Sequence, residues 1–126
     1  MKDSIVAKKS KAFALRTINL FKYLNSEKKE FVLSKQILRS GTSIGANIAE
    51  ANCAQSDADF IAKTHISLKE CCETLYWLEL LHDANYIDDL MFNSIYSDCS
   101  ELYKILSSII ISMKEKQTPN KGTLNS

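Results

Sequence analysis

Four amphipathic segments follow one another along the chain, each with apolar side chains that recur at the period of an α-helix. The first runs from about Asp3 to Asn25 and the second from about Glu30 to Cys53. The third begins at the sequence SDAD (56–59), which has the spacing of a capping box with Ser56 as its first residue. The fourth begins near Asp88. The pattern therefore predicts four helices.

Short connectors join these segments, so we expect consecutive helices to run antiparallel. The 126 residues include only three glycines and one proline, too few for the turns of a β-rich domain. A chain of this length suits a single domain. We predict an all-α, up-down-up-down antiparallel four-helix bundle over residues 1–116, followed by a disordered polar tail over residues 117–126.

The stretch SGTSIGANIAEAN, residues 40–52, places two glycines inside the second segment. Its apolar face continues through Gly41 and Gly45 at helical spacing, which favours a helix over a loop. The stretch has neither the ending of a P-loop nor the glycine spacing of a dinucleotide fold. Each glycine costs a helix roughly 1 kcal/mol relative to alanine. We therefore expect a neighbouring helix in close approach, with a kink near Gly41 as the alternative.

The face of the third segment expected to line the core recurs at helical spacing through Ile61, Thr64, Leu68, Cys71, Leu75, Leu78 and His82. The segment carries a second apolar arc besides this face. One apolar face is enough for a helix of a monomeric bundle, so an additional arc containing an indole indicates a surface covered by another molecule. We predict a homo-oligomer with the interface residues Leu15, Ile18, Ile66, Trp77, Leu80 and Leu81. The alternative is that Trp77 covers the end of the bundle beneath the connector at 84–88.

Charge is unevenly distributed, although the formal net charge is only +1. Residues 1–39 carry a net +7, residues 40–103 a net −9 and residues 104–126 a net +3. The basic part can bind a polyanion or meet an acidic part of another copy. The candidate nucleic-acid-binding residues are Lys8, Lys9, Lys11, Arg16, Lys22, Lys28, Lys29 and Lys35. No aromatic residues interleave on that face, so we expect salt-sensitive phosphate contacts without base stacking, or else a merely solvated lysine face.

Three glutamates, Glu50, Glu70 and Glu73, lie beside small or apolar residues, where a carboxylate is costly unless it is paired. Two alternatives stay open for them. They can pair with a basic residue of another helix or subunit, for which Lys8, Lys11 and Arg16 are the candidates. Equally, they can be solvated residues at the rim of a surface.

The sequence contains no catalytic constellation. Glu79 and His82 form a Glu-x-x-His pair, but His65 has no glutamate three residues before it, so a di-metal centre lacks ligands. Four cysteines without a C-x-x-C spacing, and without a signal peptide or membrane span before them, indicate free thiols in a reducing cytoplasm. We therefore predict a cytoplasmic protein with no catalytic residue, cofactor, metal, small-molecule substrate or membrane association.

The sequences LSKQILRSGTSIGANIAEANCAQSDADF and SLKECCETLYWLELL closely resemble the bacterial four-helix-bundle family associated with 23S rRNA intervening sequences (S23-like). The resemblance covers roughly residues 12–112. Its motif positions include Arg39, Ser43, Asn47, Glu50 and Glu70. It implies a four-helix protomer, a ring-like homo-pentamer, a role with nucleic acid and no enzymatic activity. Ala51 stands where the family usually has glycine, and no arginine follows in NCAQS, which weakens the transfer of a basic function to this connector.

Together these features predict a non-enzymatic homo-oligomer, a pentamer by the resemblance, that binds RNA or a ribonucleoprotein through basic surfaces of its first helix. The alternative is a cytoplasmic oligomeric interaction scaffold without nucleic-acid affinity, in which the basic strip of one copy meets acidic residues of the next. A metal-binding oxidase bundle is a distant third.

Overall fold

The computed structural model describes residues 4–117, which form four helices and contain no strand. These helices are α1 (Ile5–Ser26), α2 (Leu33–Ala51), α3 (Asp57–Asp83) and α4 (Asp89–Gln117). Each helix packs on the next, and α1 closes the bundle against α4 with the least contact of any neighbouring pair. The all-α, up-down-up-down bundle is confirmed. Gln117 ends α4, while the rest of the predicted tail lies outside the described residues.

The helices begin where side chains accept hydrogen bonds from the unpaired N–H groups of the first turn. Ser56 caps α3, since its hydroxyl accepts from the Asp59 N–H at 3.1 Å, as the capping box predicts. The second helix begins three residues later than predicted. Glu30 is buried before it, and its carboxylate accepts from the N–H groups of Val32, Leu33 and Ser34 at 3.1, 3.0 and 2.7 Å. The residues predicted to form the first turn of the second helix therefore form a cap that precedes it.

The core face of α3 is wider than the predicted one. The predicted face, which includes Thr64, Cys71 and Leu78, is buried or half-buried, and the neighbouring row of Ser67, Thr74 and Leu81 is buried as well. The prediction that Leu81 belongs to an intermolecular interface is wrong, because Leu81 is fully buried within the protomer. The close packing of α3 on α2 is the physical reason, since it draws this row inward.

Two hydroxyls join α2 and α3 inside the core. Thr74 Oγ1 donates to Ser40 Oγ at 2.9 Å, and Ser67 Oγ donates to the Ile44 carbonyl at 2.8 Å. These side chains are short, so their hydrogen bonds require the helix backbones to lie close together.

Helix α2 continues through both glycines, and the predicted close approach is confirmed. A Cβ on Gly41 would lie 2.6 Å from the Thr17 side chain of α1, and one on Gly45 would lie 3.3 Å from Ser10 Oγ. Thr17 and Ser10 are buried and bond to carbonyls of their own helix, Phe13 and Ala7 respectively. The glycines therefore allow α1 to lie against the backbone of α2.

We expect Gly41→Ala to destabilise the protein by about 1–2 kcal/mol, because overpacking against Thr17, at about 2–3 kcal/mol, outweighs the roughly 1 kcal/mol that alanine adds to helix propensity. Urea denaturation of the purified variant measures the change. Gly45→Ala is the matched control and should cost less, since its Cβ has more room. Adding Thr17→Ala to Gly41→Ala should recover part of the loss. A Gly41→Ala protein as stable as the parent would contradict the close approach.

Candidate nucleic-acid interface

The basic residues of the predicted nucleic-acid surface lie along α1 and around its connection to α2. Helix α1 contains five basic residues and no acidic one. The connector at 27–32 adds Lys28 and Lys29, and Lys35 lies in the first turn of α2. All of these side chains are exposed except Arg16, which is half-buried. The structure thus places every predicted basic residue on the outside of the bundle.

Two of the basic residues are occupied by α4. Lys9 Nζ lies 3.0 Å from Glu101 Oε1, and Arg16 Nη1 lies 2.7 Å from Asp98 Oδ2. Arg16 Nη2 also donates to Ser94 Oγ at 3.1 Å. Such partly exposed pairs contribute at most about 1 kcal/mol each to stability. They do, however, neutralise the side of α1 that faces α4.

The remaining cations form a surface that we call the outer lysine surface, made of Lys8, Lys11, Lys22, Lys28, Lys29 and Lys35. None of them has an ion pair within residues 4–117. Lys8 and Lys22 share the outer side of α1, roughly 21 Å apart by the helical rise. The nearby Glu30 adds little negative charge to the exterior, because its carboxylate is turned inward as the α2 cap.

Sequence reasoning missed Phe31, an exposed aromatic residue within this surface. Its side chain is 52% exposed, and that of the following Val32 is 70% exposed. The apolar period places both positions in the second helix and gives them no special role. The overlooked signal is Glu30 itself, since a carboxylate can cap a helix by accepting hydrogen bonds from the backbone N–H groups three and four residues later.

The motif residues that carry the family resemblance lie along the contact between α2 and α3. Arg39 of α2 reaches two glutamates of α3, with Nη2 2.6 Å from Glu73 Oε2 and Nη1 3.7 Å from Glu70 Oε2. Trp77 Nε1 donates to the same Glu73 oxygen at 3.2 Å. The other Glu70 oxygen, Oε1, is buried and has no hydrogen-bond partner in the described protomer.

The remaining motif residues of α2 lie between Arg39 and the end of the helix, and two of them bond to carbonyls of α2 itself. Ser43 Oγ donates to the Arg39 carbonyl at 2.6 Å, and Asn47 Nδ2 donates to the Ser43 carbonyl at 2.8 Å. Glu50 pairs with Lys63 of α3 at 3.2 Å. Within the protomer, these glutamates pair with Arg39 and Lys63 and not with Lys8, Lys11 or Arg16. Residue spacing within one helix cannot identify an ion-pair partner on a neighbouring helix.

The predicted interface residues occupy different environments. Leu15 and Ile66 are exposed, at 56% and 39%. Ile18 and Leu80 are half-buried, and Trp77 is half-buried against the core, with its ring edge-on to Tyr76 at 5.2 Å. The described protomer therefore leaves an apolar surface on α3 and a single leucine among the lysines of α1.

A groove of about 660 Å³ lies between the outer sides of α1 and α2. Small side chains line most of it, including Ala7, Ala14, Ala46 and Ala49, together with Gly45. The groove follows from the close packing of these two helices, since side chains large enough to fill it are absent from both.

The groups considered for catalysis make structural contacts. His82 Nε2 lies 2.6 Å from Asp89 Oδ1, and Glu79 accepts from the Tyr96 hydroxyl at 3.1 Å. Residues 4–117 contain no group of three or more His, Cys, Asp or Glu side chains placed to hold a metal ion. No helix of that segment is both long and apolar enough to cross a membrane.

The cysteines are free thiols, with Cys71 and Cys99 buried and Cys53 and Cys72 exposed. The pKa of Cys99 is strongly raised, mainly because its thiol is hydrogen-bonded with Cys71 and also because it is buried. Burial, with the Cys71 thiol adjacent, raises the pKa of Cys72. Because the thiolate is the reactive form, the raised pKa values of Cys72 and Cys99 disfavour nucleophilic chemistry at neutral pH.

The model of a protein family described as the 23S rRNA-intervening sequence protein matches residues 2–108. A crystal structure of a protein with unknown function, from the S23 ribosomal protein family of Bacteroides thetaiotaomicron, shares 59% sequence identity with the chain. The two structures align with a TM-score of 0.84 over 84% of this chain and 98% of that chain. No curated protein matches the chain. The predicted resemblance is confirmed, and neither description names an enzymatic activity.

Arg39→Gln should lower stability by about 1 kcal/mol, because it leaves two α3 carboxylates without their cation and one of them is largely buried. Lys63→Gln is the control, since its partner Glu50 is more exposed than Glu70 and Glu73, and it should change stability by less than about 0.5 kcal/mol. Urea denaturation at low and high salt measures both. Equal losses in the two variants would show that Glu70 and Glu73 do not depend on Arg39.

Proposed function

The chain belongs to the 23S rRNA-intervening sequence protein family, and we propose that it is a non-enzymatic homo-oligomer that binds RNA, free or in a ribonucleoprotein, through the outer lysine surface. The observation that carries the proposal is the charge of α1, which has five basic residues and no acidic one. Six lysines there and in the adjoining residues have no ion pair within the described protomer. A surface of unpaired cations favours a polyanionic ligand.

Lysine is suited to phosphate contacts that do not read sequence. Its ammonium is a compact point charge on a flexible stem, whereas base reading in a groove relies mainly on planar, bidentate groups such as arginine. The single arginine of α1, Arg16, is held by Asp98 and Ser94. The proposed binding is therefore electrostatic, salt-dependent and weakly selective for sequence.

Homo-oligomerisation would multiply these contacts. The exposed Leu15 and Ile66 and the apolar groove between α1 and α2 support a surface covered by another copy. In an oligomer, a few phosphate contacts per subunit add up through effective concentration. The pentameric ring implied by the family resemblance stays a prediction.

A second candidate is an oligomeric interaction scaffold of the cytoplasm without nucleic-acid affinity. The contacts of Lys9 with Glu101 and of Arg16 with Asp98 favour it, because they show α1 cations meeting acidic side chains of this same chain. If the lysines of the outer lysine surface formed the same kind of ion pair with acidic side chains of another copy, they would not be available to bind RNA.

We expect the variant with Lys28, Lys29 and Lys35 changed to Gln to bind RNA more weakly than the parent. The slope of the logarithm of affinity against the logarithm of salt concentration should fall by about 2, as three single-strand phosphate contacts are lost. Filter retention of a labelled RNA across a salt series measures this slope. The matched control changes Lys69, Lys104 and Lys116 to Gln, which removes the same charge elsewhere and should leave the slope nearly unchanged.

RNA retention that is absent even at low salt, or equally weakened in both triple variants, would reject the outer lysine surface as an RNA site. If salt instead dissociates the oligomer while RNA never binds, the scaffold is the correct function.

Ile66→Glu should lower the solution mass of the assembly toward the 14.2 kDa of one chain, because a buried carboxylate would oppose an apolar interface. Light scattering after size-exclusion chromatography measures the mass. Leu90→Glu is the control, because it adds the same charge at a more exposed apolar residue outside the predicted interface. A parent protein that is itself a single chain at all concentrations would contradict the homo-oligomer.

A further inference from the structure

We propose that the connector between α1 and α2 is a binding site for single-stranded RNA, with Phe31 stacking on a base while the lysines around it bind phosphates. The inference rests on the proposed function and specifies which form of RNA the outer lysine surface takes. It also corrects our expectation that no aromatic residue accompanies the basic face.

The connector reverses the usual order of burial. Glu30 is only 8% exposed, whereas Phe31 and Val32, which follow it, are 52% and 70% exposed. A charged side chain inside and an aromatic one outside is the uncommon arrangement in a folded protein.

Local hydrogen bonding explains how the arrangement arises. The Glu30 N–H donates to the Leu24 carbonyl at 2.9 Å, which closes the end of α1, while the Glu30 carboxylate caps α2. Lys29 adopts a left-handed backbone conformation, with φ of 53°, and so turns the chain between these two helix ends. Because both the backbone N–H and the carboxylate of Glu30 are hydrogen-bonded on the inside, the next residue, Phe31, lies on the outside.

The surroundings of Phe31 indicate a polyanion as the ligand. Lys28 and Lys29 precede it, Lys35 follows one helical turn later, and none of the three has an ion pair within the described chain. Exposed apolar groups flanked by cations are poorly suited to a basic partner. An exposed aromatic ring in the same short segment as lysines that can bind phosphates is the combination found on stacking platforms for single strands.

A single strand fits this combination better than a duplex does. The bases of an RNA helix are stacked on one another, and its deep, narrow major groove does not admit side chains. An exposed ring can stack only on a base that is free, as in a loop, a bulge or an end. Because every base has a π-face, the proposed contact selects for strandedness and not for sequence.

The experiment compares two labelled probes, a short oligouridylate and an RNA duplex of equal length, by fluorescence anisotropy across a salt series. We expect Phe31→Leu to weaken binding of the single strand by about tenfold and to leave duplex binding unchanged, since leucine keeps the apolar bulk but lacks the π-face. Phe31→Tyr keeps the ring and should bind as the parent does. The salt slope should be the same in all three proteins, because no charge is removed.

Val32→Ala is the matched control, because it shortens a neighbouring side chain that is even more exposed but has no ring. Circular dichroism checks that each variant is folded. The inference is overturned if Phe31→Leu binds the single strand within twofold of the parent. It is also overturned if Phe31→Leu and Val32→Ala lose the same single-strand affinity. A change in assembly mass with unchanged RNA affinity would overturn it as well, by assigning Phe31 to a protein contact.

Failure of the inference is distinguishable from failure of the proposed function. If single strand and duplex bind equally, with a slope that depends on the connector lysines, the outer lysine surface stands and the stacking site does not. If neither probe binds at low salt, both proposals fail together.

Discussion

The close approach of α1 to α2 fixes how α1 is turned about its own axis, and the outer surface of the protein depends on it. Gly41 and Gly45 bring the backbone of α2 to the Thr17 and Ser10 side chains of α1, with no room for a larger group at Gly41. Because these short hydroxyl side chains must face α2, the lysines on the opposite side must face solvent. The cost of two glycines in a helix is thereby offset by packing that also orients the charge.

The other contacts of the bundle differ in chemistry. Helices α2 and α3 are joined by buried hydroxyl hydrogen bonds and by Arg39 with its two glutamates, so their relative position is set by short polar contacts. Helices α1 and α4 meet less closely, through partly exposed ion pairs. These pairs neutralise the two α1 cations that face α4, whereas the outward lysines have no ion pair among residues 4–117. The motif residues Arg39, Glu50 and Glu70 thus join α2 to α3, while the proposed RNA surface lies elsewhere.

The connector between α1 and α2 joins architecture to proposed function. Glu30 withdraws its negative charge from the surface in order to cap α2, and the same hydrogen bonds leave Phe31 outside among lysines. One structural requirement, the start of a helix, therefore removes an acidic group from the basic surface and adds an aromatic one. Repetition of this surface in a homo-oligomer would bring several such sites to one polyanion.

The sequence by itself determined the number of helices, their order, the α3 cap at Ser56 and the continuity of α2 through Gly41, because periodicity and capping are local properties of the chain. It also placed the cations on α1, since their spacing is local as well. The exposure of Phe31 follows from the Glu30 cap, a local contact that the apolar period of the second segment concealed. Only the tertiary structure decided that Leu81 is buried and that Arg39 pairs with glutamates of α3. Both of these outcomes depend on how a neighbouring helix is positioned, and residue spacing along one segment does not contain that information.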